Sequence, residues 1–185
     1  MDPLLTVGHG RLDRDELGRL LAGAGVELLV DVRRYPGSRH NPDVARDALE
    51  EWLPGAGIDY RWEQRLGGRR RVPTEAVEDP WWRVAQFAAY ARHTRTAEFA
   101  EALDEVLAES ELRRTAVMCS EAVWWRCHRR LIADVTVLAR DRPVEDLMHD
   151  GRRVPHPVAE GARLAPDGRV FWDGADSRAG SSPAD

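Results

Sequence analysis

The chain has 185 residues, of which 43% are hydrophobic and 32% are charged, and its formal net charge is -5. This length suits one hydrophobic core, since folded domains usually run to about 100–200 residues. We expect one domain over residues 1–173 and a disordered tail over residues 174–185. The acidic balance argues against a general nucleic-acid-binding surface, because phosphate neutralisation requires a basic face, so any anion site must be local.

The composition also indicates where the protein works. No apolar stretch approaches the roughly 20 residues of a membrane helix, and the start of the chain, MDPLLTVGHG, lacks the basic region of a signal peptide. Only two cysteines occur, Cys119 and Cys127, which is typical of free thiols in a reducing compartment. We therefore expect a cytoplasmic protein with no membrane partner. All 27 basic residues are arginine, so anion recognition would use guanidinium groups.

Short apolar runs alternate with segments of helical spacing along the chain. A strand at residues 4–8 precedes a helix at 13–24, and a second strand at 26–32 opens into the irregular segment RRYPGSRHNPD. A helix at 44–53 and a strand at 58–62 follow. Two helices are then predicted at 81–90 and 96–108, with a break near His93.

The next strand is TAVMC, residues 115–119, in which Val117 and Cys119 would face one side while Ala116 and Met118 face the other. A long helix is predicted at 123–140, and a last clear strand at 144–149. Short extended segments follow at 154–158 and 170–172.

This alternation predicts an α/β fold with a mostly parallel sheet and helices on both faces, a Rossmann-like three-layer arrangement. In such folds ligands bind beyond the carboxyl ends of the strands. That edge would collect His9, the loop after Asp31, the segment after Tyr60, and Cys119 with Glu121.

Cys119 ends its strand directly before a predicted helix, whose free N–H groups and positive dipole end would favour a thiolate. A buried structural cysteine is the alternative. The strand, loop and helix resemble cysteine phosphatases and sulfurtransferases in outline. However, Arg126 lies seven positions after Cys119 rather than six, and Glu121 would repel a phosphate in such a loop.

Cys127 and His128 lie further along the predicted helix, where Cys127 shares a face with Leu131 and Val135. This spacing favours core packing for Cys127. A metal site formed by Cys119, Cys127 and His128 is an alternative, with His9 or His40 as further ligands, although the pattern lacks the tight spacing of structural zinc sites.

Arginines cluster in three segments of this predicted edge, although the protein is acidic overall. Asp31 and Arg33 lie two positions apart at a strand end, so their side chains would face the same side. They would form an ion pair or bind a polar ligand. An anionic ligand would fit the cluster, and solvated surface arginines paired with carboxylates are an equal alternative. The clustered residues are Arg33, Arg34, Arg39, Arg69, Arg70, Arg71, Arg126, Arg129 and Arg130.

The segments TVGHG, DVRRYPGSRHNP, YRWEQRLGG and CSEAVWWRCHRRLIA resemble, in order, the motifs of the family called domain of unknown function 488. The resemblance covers residues 5–149 and implies a Rossmann-like fold with a site along one edge. Carried over to this chain, that site comprises His9, Asp31, Arg33, Pro36, Ser38, Tyr60, Gly67, Gly68, Cys119, Glu121, Cys127, His128 and Arg129.

Three hypotheses follow for the function. The first is an enzyme acting on an anionic, nucleotide-like or nucleic-acid-derived substrate. In this enzyme, Cys119 would be the nucleophile or the redox thiol, and His128 or His9 would carry the proton. Glu121 and Asp31 would orient partners. The substrate would be bound by Arg33 and Arg129, together with Ser38 and Tyr60. The second is a non-catalytic module that binds a nucleotide, nucleic acid or protein. The third is a metal enzyme using Cys119, Cys127 and His128. The sequence specifies no cofactor and no oligomeric state.

Overall fold

A computed structural model describes residues 2–38, 40–72 and 78–174. Six strands form one sheet in the order β3-β2-β4-β1-β5-β6, in which the first five are parallel and β6 is antiparallel to β5. Strands β7 and β8 form a separate antiparallel pair. The strands are β1 (Leu4–Gly8), β2 (Leu28–Asp31), β3 (Asp59–Trp62), β4 (Thr115–Cys119), β5 (Val144–Leu147), β6 (Arg153–Pro155), β7 (Ala162–Leu164) and β8 (Val170–Trp172).

Helices cover both faces of the large sheet. Their bounds are α1 (Arg14–Gly23), α2 (Arg46–Trp52), α3 (Ala85–His93), α4 (Ala97–Leu112) and α5 (Arg129–Arg140). Apolar residues of α1 and α2 pack in one core cluster, and those of α3, α4 and α5 pack in the other. The predicted three-layer α/β fold is confirmed.

The period-2 pattern of β4 divides its side chains between the two cores. Val117 and Cys119 belong to the cluster on the α3, α4 and α5 side, whereas Ala116 and Met118 belong to the opposite one. This division confirms the pattern predicted for TAVMC, because successive residues of a strand point to opposite faces. Cys119 therefore ends β4 on the α5 side.

The connection between β4 and α5 differs from the prediction. The helix expected at 123–140 begins at Arg129, and only a short 3-10 helix, Trp124–Arg126, precedes it. The predicted helix N-terminus directly after Cys119 is therefore wrong. The side chain of Arg129 donates to the carbonyl oxygen of Glu121, and this bond holds the connection as a loop. Cys127 immediately precedes His128, which occupies the N-cap position of α5 without a capping bond from its side chain.

The structure also differs from the prediction at one helix start and in one additional strand. The helix expected at 81–90 begins at Ala85, and β7 was not predicted. The hairpin of β7 and β8 is fixed by contacts distant in sequence, which a periodicity argument cannot detect. Asp134 of α5 accepts bonds from Trp172 Nε1 at 2.8 Å and from the backbone N–H of Ala159 at 3.1 Å.

None of the helices within residues 2–38, 40–72 and 78–174 combines the length and apolar character needed to cross a bilayer. The predicted tail over residues 174–185 lies outside the described residues except for Gly174, so the proposed division at residue 173 stays a prediction.

Candidate functional site

A cavity of about 300 Å³ lies at the carboxyl ends of the neighbouring strands β2 and β4. Strand β2 leads into its arginine-rich wall, and β4 ends in the cysteine beside it, so strand pairing brings together segments almost 90 residues apart. The residues that line it are Arg33, Arg34, Tyr35, Gly37, Gly68, Arg69, Cys119, Ser120 and His128.

Two thiols and an imidazole meet beside this cavity. The Nδ1 atom of His128 lies 3.7 Å from Sγ of Cys119 and 3.7 Å from Sγ of Cys127. All three potential ligand atoms lie within 4.8 Å of one another. Both cysteines are free and buried, which confirms the predicted free thiols. We call Cys119, Cys127 and His128 the thiol cluster.

The pKa values of the two thiols are shifted in opposite directions. The hydrogen bond to Cys127, together with burial, raises the pKa of Cys119 well above its ordinary value. Burial alone would raise the pKa of Cys127 as well, but the hydrogen bond from Cys119 and the charge of the neighbouring Arg129 guanidinium lower it well below the ordinary value. The sulfur most stable as a thiolate is therefore Cys127, for which helical spacing favoured core packing, while the family resemblance and the metal alternative placed it in the site.

The side chain of Arg129 connects the thiol cluster to the loop between β4 and α5. Its side chain is buried, with 1% exposure, and its Nε donates to the Cys127 sulfur at 3.4 Å. Its Nη2 donates to the carbonyl oxygen of Glu121 at 2.6 Å. A Cβ at Gly8 would collide with that same carbonyl, so the close approach of β1 to the loop requires glycine there.

His128 is fixed by contacts on three sides. Its Nε2 lies 3.2 Å from the carbonyl oxygen of Val32, to which only an N–H can donate, so in the neutral imidazole Nδ1 presents its lone pair to the sulfurs. The ring of Tyr90 packs against it with centroids 4.9 Å apart. A Cβ at Gly68 would lie 2.8 Å from Nδ1, which explains glycine at that position.

A buried polar network supports the β2 side of the cavity. Asp31 accepts from Arg33 Nη2 at 2.6 Å and from the Tyr60 hydroxyl at 2.8 Å. Arg33 Nη1 lies 3.3 Å from Nε2 of His9 and donates to it, while Nδ1 of His9 donates to the Gly10 carbonyl at 3.0 Å. Burial, reinforced by the charge of Arg33, lowers the pKa of His9 to about 4, so His9 is neutral near pH 7.

The remaining predicted residues lie outside the cavity. Glu121 is exposed, and the contact it makes to the site is through its backbone carbonyl. The hydroxyl of Ser38 accepts from the backbone N–H of Asn41 at 3.1 Å. Pro36 contributes a carbonyl that bonds to the N–H of Arg46. His40 is exposed, and Arg39 lies outside the described residues.

Two cavity residues, Arg34 and Arg69, were predicted as part of the arginine cluster but were not assigned a role. Arg69 has φ of +55°, a backbone conformation that residues with side chains rarely adopt. A Cβ at Gly67 would lie 2.8 Å from the Cα of Arg34, so the segments carrying these arginines approach closely. The run Gly67-Gly68-Arg69 was the signal, because paired glycines permit such an approach.

The fold and site thus define an α/β protein with two thiols and an imidazole beside an arginine-lined cavity. The chain belongs to the family described as domain of unknown function DUF488, whose model matches residues 13–136. This match confirms the resemblance found in the sequence.

No significant match was found among curated proteins. Among solved structures, the chain is similar to a protein of Shewanella putrefaciens CN-32 called a "Putative phosphatase (DUF442)", with 17% identity and a TM-score of 0.38, covering 76% of this chain and 69% of that one. A likeness this weak carries no argument about activity.

Proposed function

We propose that the protein is an enzyme acting on an anionic, nucleotide-like substrate in the cavity, and that its activity depends on Cys119. The observation that carries this proposal is the position of Cys119 in the same cavity wall as Arg34 and Arg69. Neither guanidinium forms an ion pair with a carboxylate of the described residues. Unpaired guanidinium groups beside a cavity favour an anionic ligand, which they can bind through charge-assisted hydrogen bonds.

Arg33 and Arg129 have a different part in this proposal. Their guanidinium groups already bond to protein atoms, since Arg33 donates to Asp31 and to the Val44 carbonyl, while Arg129 donates to Glu121 and Cys127. We assign them positioning roles. Arg34 and Arg69 are the residues that bind the anion.

The flat part of the substrate would lie on Tyr35. This residue lines the cavity, and its side chain is 64% exposed. An exposed aromatic ring beside cationic side chains suits the stacking of a nucleobase. Any of the bases can stack in this way, and the stacking contributes about 1–3 kcal/mol per base to binding. This feature favours a nucleotide over inorganic phosphate.

Removal of the cavity charges tests the proposal. We expect Arg34→Ala and Arg69→Ala each to weaken mononucleotide binding roughly tenfold to a hundredfold, because a hydrogen bond to a charged group contributes about 1.5–3 kcal/mol. Arg71→Ala is the matched control, since Arg71 is exposed and does not line the cavity. Titration calorimetry with a panel of nucleoside monophosphates measures the effect. Equal affinity in all three variants would contradict the proposal.

The dependence on Cys119 separates an enzyme from a binding module. Once the panel yields a substrate, Cys119→Ser is expected to retain binding and to lose turnover. Full turnover in this variant would remove Cys119 from the chemistry. Binding without turnover of any panel member by the wild-type protein would favour the non-catalytic module.

A further inference from the structure

The spacing of the thiol cluster matches that of a tetrahedral metal centre. With Zn–S near 2.3 Å and Zn–N near 2.0 Å, tetrahedral angles separate a sulfur from a nitrogen by about 3.5 Å. Both S···Nδ1 distances in the cluster are 3.7 Å. The ligand atoms therefore lie where one ion could contact all three.

The surroundings of the cluster favour a metal over a simple hydrogen-bonded thiol pair. Metal-binding histidines usually donate their other N–H to a carbonyl or carboxylate, and His128 donates from Nε2 to Val32. Arg129 donates to the Cys127 sulfur, as outer-shell donors do to metal-bound thiolates. Two sulfurs and an imidazole are the donors that Zn²⁺ prefers.

The cluster supplies three protein ligands, and two of them, Cys119 and His128, line the cavity. Structural zinc sites close all four positions with protein ligands, whereas catalytic sites leave one position open. A fourth position facing the cavity would be within reach of a substrate held by Arg34 and Arg69.

We propose that Cys119, Cys127 and His128 bind one divalent zinc-type ion whose open coordination position faces the cavity. This inference rests on the proposed function for the substrate and deepens it, since it makes Cys119 a ligand and the metal the group that meets the substrate. Both cysteines coordinate as thiolates, so the protons that their thiols carry are released to solvent as the ion binds. The ion with two thiolates and a neutral imidazole is then formally uncharged, so it does not repel an anion.

The metal content of the full-length protein tests this inference. We expect purified protein to contain about one zinc per chain, as in a three-ligand catalytic site. Cys119→Ser, Cys127→Ser and His128→Ala should each reduce the content at least tenfold. Ser120→Ala is the matched control, because Ser120 lines the cavity beside Cys119 but is not among the three ligands. Circular dichroism checks that each variant is folded.

Co²⁺ gives a second readout on the wild-type protein, so the result does not depend on variant stability. Added to reduced, metal-free protein, Co²⁺ should produce sulfur-to-metal charge-transfer absorption and the visible bands of tetrahedral geometry. Wild-type protein that takes up neither Zn²⁺ nor Co²⁺ would overturn the inference. If nucleotide binding still requires Arg34 and Arg69 in that case, the proposed function stands with Cys119 as a reacting thiol. Metal uptake without nucleotide binding would support the site and contradict the proposed substrate.

Discussion

At the scale of single residues, the pair of Asp31 and Arg33 shows how much a two-residue alternation can predict. The sequence placed both side chains on one face of a strand end, and the structure pairs them at 2.6 Å, with 0% and 5% exposure. The sequence did not reveal that Tyr60 and His9 also bond to this ion pair, because those contacts depend on which strands become neighbours. Alternation is local information, whereas strand order is not.

The buried pair predicts a large loss of stability in Asp31→Asn. That change leaves Arg33 charged and buried without its counter-ion, which typically costs about 3–5 kcal/mol. Tyr60→Phe, which removes one hydrogen bond from the same carboxylate, should cost about 1–2 kcal/mol. Urea unfolding measures both free energies. A smaller loss for Asp31→Asn than for Tyr60→Phe would be inconsistent with this account of the network.

At the scale of elements, the loop from β4 to α5 departs most from the sequence-based expectation. Helical spacing of apolar residues continues back to Val123, yet α5 begins at Arg129. The side chain of Arg129 and the glycines facing the loop determine its conformation. Periodicity identifies which residues can form a helix, but a buried side-chain bond to the backbone decides where that helix starts.

The contact of Gly68 with His128 gives a test at this scale. A methyl group 2.8 Å from Nδ1 must displace the imidazole, so Gly68→Ala should lower the free energy of unfolding by about 1–3 kcal/mol. Gly55→Ala is the control, because a Cβ there meets nothing within 4 Å, and it should change stability by less than about 0.5 kcal/mol. Equal effects in urea unfolding would show that the approach to His128 is unimportant.

At the scale of the whole molecule, a second buried network fastens the C-terminal segments to the sheet and α5. His156 lies between Asp146 of β5, at 2.8 Å, and Asp134 of α5, at 3.1 Å. The hydroxyl of Thr6 also donates to Asp146. The sequence indicated extended segments here but gave no sign of this network, since its members come from four separate parts of the chain.

The charge of His156 makes stability depend on pH. Burial alone would lower its pKa, but the bonds to Asp134 and Asp146 raise it above the ordinary 6.5. A raised pKa in the folded state means that the contribution to stability is fully present below pH 6.5 and is lost as the pH rises through the folded pKa.

The free energy of unfolding should therefore fall more steeply above pH 6.5 in the wild-type protein than in His156→Gln. His40→Gln, at an exposed histidine, serves as the control and should follow the wild-type curve. Denaturant unfolding at a series of pH values makes the comparison. Parallel curves for the wild type and His156→Gln would exclude this role for His156.

Cys119 shares the lining of its cavity with Arg34 and Arg69, so its alkylation should depend on the charge of the reagent. In reduced, metal-free protein, we measure rate constants for iodoacetate and iodoacetamide at Cys119 by peptide mapping. The ratio of the anionic to the neutral reagent should exceed that of the unfolded chain and should fall towards it in Arg34→Ala and Arg69→Ala. A ratio equal to that of the unfolded chain, or unchanged by either substitution, would contradict the account.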